Sequence, residues 1–136
     1  MAYVLLFFLI MLSYSCWWVM NNLVLAYLGD AVYELYVRNY LIKSGIAKVN
    51  DLQTASLEYV SAVSQRRILE ELINRDFFSV EEMEIINRGR NASGHKSKTT
   101  DIITYKKATG LECLIGHLYL NDKERLEVII KEILGE

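Results

Sequence analysis

Asp30 is the first charged residue of the chain, and it interrupts the long apolar stretch LAYLGDAVYELYVR, residues 25–38. An ionised carboxylate among apolar side chains is costly unless a cation, a partner or hydrogen bonds compensate it. Glu112 stands in similar company, in ATGLECLIGHLYL, residues 108–120. If the helices carrying them pack so that the two acids converge, their oxygens offer hard ligands for Mg²⁺, which keeps several waters and uses only one or two protein carboxylates. Such a site suits phosphodiester hydrolysis, because the metal would activate a water and stabilise charge on phosphate oxygens. Arrangements of the Ser/His/Asp or Cys/His kind have little support. A structural reading competes with this one: Asp30, Glu34 and Arg38 lie on one helical face, so Arg38 could neutralise an acid in an i,i+4 ladder. The residues alone leave both open.

A second feature is the basic tract between Arg88 and Lys107. Arg88, Arg90, Lys96, Lys98, Lys106 and Lys107 face the single acid Asp101. Such charges can hold phosphates with an affinity that weakens as salt rises, and an A-form duplex is read mainly by shape, 2′-hydroxyls and backbone. The alternative is an ordinary solvated loop. His95 reads as exposed and His117 as packed rather than catalytic.

These residues must be positioned by a small scaffold. The 136 residues suit one compact domain, and a hydrophobic fraction of 52% with 24% charged residues argues against disorder. The net charge of −2 does not advertise nucleic-acid binding, but it averages over faces and can hide a local patch. Cys16 and Cys113 form no CxxC pair, which leaves a structural zinc short of ligands, and two isolated thiols fit a reducing compartment, so cytoplasm is expected.

Residues 1–20 do not match the rest. No charge occurs before Asp30, and AYVLLFFLIMLSYSCWWVM is about as long as a membrane-spanning helix needs to be. A secretory signal would carry a basic region ahead of the apolar run. Three readings remain for this apolar leader: a membrane anchor, a buried or partner-covered helix, or upstream sequence ahead of a natural start at Met20. Residues 21–136 form the expected catalytic domain.

That domain reads as all-α, since it has no proline, few glycines and no run of strict polar/apolar alternation. The spacing predicts a helix over about Leu23–Ser44 that stops at Gly45. A single helix capped by Asn50 or Asp51 then runs to about Asn74, with Leu52, Leu57, Val60, Val63, Ile68, Leu69 and Leu72 as one buried stripe. Ser79 with Glu82 makes a capping box for a short helix over Val80 to about Arg88. Thr99 or Thr100 caps a helix to about Leu120, and Asn121 opens the last one, to about Leu134. Tyr27, Tyr33, Tyr36 and Tyr40, on the first helix, are expected in the core or a dimer interface rather than as a base-stacking platform.

LAYLGDAVYELYVR resembles the signature helix of the ribonuclease III family, and LECLIGHLYL resembles the family's second metal-binding helix; with RGRN they look like its bacterial Mini-ribonuclease III branch. The resemblance extends from about Asn22 to Leu134. It implies a ribonuclease III-like helical endonuclease domain, homodimeric, cleaving double-stranded RNA with Mg²⁺ in the maturation of large-subunit (23S) ribosomal RNA. The family's usual carboxyl-terminal RNA-binding domain has no counterpart before Glu136, so specificity is expected from the catalytic domain or from a partner, such as a ribosomal protein that shapes the substrate.

A full site of this family has four acids. Asp30 matches the signature aspartate and Glu112 the final glutamate, whereas Leu23 and Thr109 stand where longer members carry acids, and Ala26 where they often have a further glutamate. The resemblance therefore assigns Asp30 as the catalytic residue, Asp30 and Glu112 as metal ligands, and Glu34 as a reserve acid. The rival functions are an RNA-binding protein of the same fold that has lost catalysis, and a membrane-anchored helical adaptor suggested only by residues 1–20.

Overall fold

A computed structural model describes residues 21–94 and 101–136. The apolar leader, the expected caps Thr99 and Thr100, and the tract residues His95, Lys96 and Lys98 lie outside the described residues. The described chain forms α1 (Asn22–Lys43), α2 (Val49–Val60), α3 (Ala62–Asn74), α4 (Val80–Ala92), α5 (Ile102–Asn121) and α6 (Lys123–Leu134), with no strand among the described residues. This is the all-α architecture expected. No helix among the described residues is long and apolar enough to cross a membrane.

The organising element is α5. Leu111, Cys113, Leu114 and Ile115 are fully buried at consecutive or near-consecutive positions, so this helix is covered on most of its circumference rather than along one stripe. It packs against α1, α3, α4 and α6. The first helix supplies the largest share of that cover through Leu25, Ala26, Gly29, Val32, Tyr33, Val37 and Leu41. The buried Tyr33 hydroxyl donates to the Tyr59 carbonyl at 3.1 Å, which ties α1 to the end of α2. Tyr40 meets Tyr59 edge to face with ring centroids 6.0 Å apart, and Tyr36 donates to Glu127 at 2.5 Å, whereas Tyr27 is 84% exposed.

Local sequence accounts for the ends of most helices. Gly45 takes φ +94°, the left-handed region, directly after α1, as its position predicted. The Ser79–Glu82 capping box is fully formed, and Glu82 is also clasped by Arg125 of α6 at 2.6 Å. The caps of the last two helices differ from expectation by one or two residues: Asp101 accepts from the Thr104 amide at 3.0 Å, and Asp122 accepts from the Arg125 amide at 3.0 Å. Both acids also favour the positive end of a helix. The fourth helix runs past Arg88 to Ala92.

The expected single helix to Asn74 is instead two. Ser61 is extended at φ −64°, ψ 148°, and its hydroxyl caps α3 by accepting from the Ser64 amide at 3.2 Å. The break rotates the apolar register. Ile68, Leu69 and Leu72 enter the core as predicted, but Val63 is 68% and Leu57 57% exposed, and Gln65 is buried.

Candidate active site

A close crossing of α1 and α5 brings Asp30 and Glu112 near each other. A Cβ on Gly29 would lie 1.7 Å from the Glu112 carbonyl oxygen, and one on Gly116 would lie 2.0 Å from that of Leu25. Only glycines permit α1 and α5 to cross with their backbones in contact, and the residue after the first of these glycines is Asp30. A similar device brings in α4: a Cβ on Gly89 would meet the Cys113 Cβ at 2.4 Å, and one on Gly110 the Ile86 carbonyl at 2.8 Å. Arg88 and Arg90 flank Gly89, so the same stretch of α5 receives the Asp30-bearing helix and the arginine-bearing end of α4.

Two carboxyls in this setting resist ionisation. Burial first, and then the neighbouring Asp30 charge, push Glu112 up to about 7, against the favourable contribution of the Gln65 amide. Burial and the Glu34 charge raise Asp30. The structural ladder accounts for only part of the acidic face: Arg38 bonds Glu34 at 3.2 Å, with both side chains well exposed, and among the described residues no ion pair reaches Asp30 or Glu112. An exposed pair of this kind contributes roughly 0.3–0.5 kcal/mol. The helical ion-pair explanation therefore holds for Glu34, and leaves Asp30 without compensation from a described side chain.

The donor set fits Mg²⁺. Both carboxyls offer hard oxygens, both are held toward the protonated form, and a divalent cation would relieve their mutual repulsion. No group of three or more His, Cys, Asp or Glu side chains able to hold a metal occurs among the described residues, so a cation here would complete its shell with water or substrate oxygens. The positions where acids were missed in the sequence remain without them in space. Thr109 is buried and donates back to the Tyr105 carbonyl at 2.9 Å, Ala26 is buried, and Leu23 is 41% exposed.

The basic residues divide. Arg88 and Arg90 are exposed. Burial, and then the Arg88 charge, lower the pKa of the half-buried His117, which favours a neutral imidazole. Lys106 is half-buried, and Lys107 is paired with Glu70 while sharing a cleft with Arg90, Asn74 and Asn87. Its charge is partly committed within the fold. Sequence reasoning missed this pairing, and it missed Gln65, a polar residue on the buried face of α3. The signal for Gln65 was its position three residues before Ile68, in register with the core stripe.

Two acids brought together by crossing helices of an all-α domain mark a candidate site, and comparison with known families names the class of the fold: the Ribonuclease III domain model matches residues 23–123. The chain belongs to the ribonuclease III family. It is 47% identical over 117 residues to Mini-ribonuclease 3 of Staphylococcus aureus, covering 85% of this chain and 87% of that one. It is 43% identical to Mini-ribonuclease 3 of Enterococcus faecalis, over 82% and 86% of the two chains. A crystal structure of a protein from Fusobacterium nucleatum superposes with a TM-score of 0.75 at 30% identity, covering 86% of this chain and 93% of that one. The Mini-ribonuclease III resemblance carried by the sequence motifs is thereby met.

Proposed function

We propose that this protein is an endoribonuclease that hydrolyses double-stranded RNA with Mg²⁺ held by Asp30 and Glu112, and that it matures large-subunit ribosomal RNA in the cytoplasm as a homodimer. The observation that carries the reading is the Gly29–Gly116 crossing, which brings Asp30 and Glu112 near each other with no cationic side chain paired to either among the described residues. The relatives named Mini-ribonuclease 3 support the substrate class.

When bound, Mg²⁺ supplies a Lewis acid that activates water and neutralises charge on the phosphate. The protein's own groups divide the remaining work. Glu112, half-buried, forms the inner wall of the site, and exposed Asp30 forms its substrate-facing edge. Arg88 and Arg90, with Lys96, Lys98, Lys106 and Lys107, attract and align the RNA backbone, which demands charge and shape rather than base readout. A duplex has two strands to cut. A two-fold dimer would present two such sites to it. Val24, Tyr27, Ala31 and Leu35 line an exposed, largely apolar stripe of α1 beside Asp30, and a second copy would cover it.

The test is cleavage of a long RNA duplex bearing natural ribosomal-RNA ends across a Mg²⁺ titration, with the separated strands as control. Metal-dependent cutting of the duplex is expected. Binding without cutting would favour the inactive RNA-binding reading that the residues Leu23 and Thr109 suggest. Fractionation of the untagged protein tests the cytoplasmic assignment against membrane association through residues 1–20.

A further inference from the structure

A cleft of about 330 Å³ lies between α3, α4 and α5. Gly110 packs against α4 and the Glu112 backbone against α1, and two residues turn a helical face by about 200°, so the cleft sits across α5 from the two acids. Its floor is apolar: Leu69 and Ile86 are 1% exposed, and Ile73 and Met83 are half-buried. Its rim is polar. Asn74 ends α3, and Asn87 and Arg90 follow Met83 on one face of α4. The cations of the rim are not equivalent. Glu70 Oε1 accepts from Lys107 and, at 2.9 Å, from Arg66 Nε, so the Lys107 charge is neutralised within the fold. Arg90 enters no ion pair among the described residues, and its Cβ lies 3.5 Å from where a Cβ on Gly110 would stand, which fixes the root of its side chain at the cleft.

A paired duplex has no use for this floor. It presents phosphates, sugars and shallow base edges, whereas a base outside the stack brings a flat apolar face and a free Watson–Crick edge. A thioether packs well on such a face, and a carboxamide offers both a donor and an acceptor to such an edge. The volume stands at the lower end of the range for small-ligand sites, about 300–1,000 Å³, which suits one nucleotide better than a helix or a peptide. We propose that this cleft is a recognition pocket for one unpaired nucleotide of the RNA, its base on Ile73 and Met83 between the amides of Asn74 and Asn87, and its phosphate on Arg90. This rests on the reading of the protein as a ribonuclease, and adds to it a preference for duplexes that carry an unpaired nucleotide. A free nucleoside monophosphate has the same chemistry, so the test separates the two sources.

The test uses the full chain in EDTA, where binding is read without cutting. Affinity is measured for a blunt RNA duplex and for the same duplex with a short single-stranded extension. Adenosine monophosphate and inorganic phosphate are separate probes, followed through the Met83 methyl signal by NMR. The parent should bind the extended duplex about 10-fold more tightly than the blunt one, the contribution of one stacked base. Asn74→Leu and Asn87→Leu, both at exposed positions, should bring that ratio below about two-fold while blunt-duplex affinity stays within about two-fold of the parent. Arg90→Ala should weaken binding of both duplexes. The monophosphate should move the Met83 signal, and inorganic phosphate should not. Equal affinity of the parent for the two duplexes overturns the proposal; if the monophosphate still moves Met83, the cleft serves a free nucleotide instead. A parent-like ratio in both asparagine variants, or an equal loss on both duplexes, overturns it as well, and cutting of the blunt duplex in Mg²⁺ would then leave the ribonuclease reading standing. A parent that neither binds either duplex nor cuts it in Mg²⁺ overturns that reading and this proposal together.

Discussion

Replacing Glu112 by glutamine should make the metal-free protein more stable, although it removes a metal ligand. The folded state holds the Glu112 carboxyl at about 7 instead of the ordinary 4.5, because burial and the Asp30 charge oppose its ionisation. Between these two values the folded chain binds a proton that the unfolded chain has released. Stability therefore falls as pH rises through this window, and the full penalty is present above pH 7. Its size is about 3 kcal/mol, taking 1.36 kcal/mol for each pH unit. For a domain of this length that corresponds to roughly 10 °C in melting temperature. Glu112→Gln has no carboxyl to ionise, so in EDTA it should melt close to the parent protein at pH 4.5 and well above it at pH 8. Adding Mg²⁺ at pH 8 should reverse the order once it reaches about 1,000 times its Kd, where a ligand stabilises the native state by about 4.1 kcal/mol, since the variant has lost the site. Equal or lower melting of Glu112→Gln in EDTA at pH 8 would refute the reasoning, because Glu112 would then be compensated by something other than a cation.

Other perturbations report on the scaffold and the substrate face. Gly29→Ala places a methyl 1.7 Å from the Glu112 carbonyl oxygen, so separation of α1 from α5 should cost about 3 kcal/mol or more in urea unfolding; a loss below 1 kcal/mol would contradict the close crossing. Arg90→Ala should weaken duplex binding equally for different sequences and lower the slope of log K against log salt by roughly 1, which binding assays at several salt concentrations can read. Tyr27→Lys puts a charge on the exposed apolar stripe of α1, and sedimentation should show a shift from dimer toward monomer with no loss of helical content.

Much of the fold was legible because helix ends are written in short local signals. Gly45 and the Ser79–Glu82 box depend only on residues within one turn, and both ended or started helices where predicted. The Ser61 break was not legible. Serine is tolerated inside helices and favoured at their caps, and the choice here follows from hydrogen bonds among Ser61, Ser64 and the Leu57 carbonyl that pattern alone does not show. Mistaking α2 and α3 for one helix put Val63 on the buried stripe and hid Gln65. At the site, the acids Asp30 and Glu112 stood out because charge in an apolar run has few benign explanations. The pairing of Lys107 with Glu70 did not, since the partner lies 37 residues away on another helix. Likewise the roles of Gly29 and Gly116 became evident only when each was seen against the other helix's backbone.

The central claim is that Asp30 acts in chemistry rather than in holding the RNA. The most direct measurement is single-turnover cleavage of a long RNA duplex by the parent protein and by Asp30→Asn at saturating Mg²⁺, with duplex binding measured on the same preparations. The account predicts a rate loss of about 100-fold or more for Asp30→Asn, with duplex affinity kept within a few-fold. Cleavage by Asp30→Asn at the parent rate would contradict it.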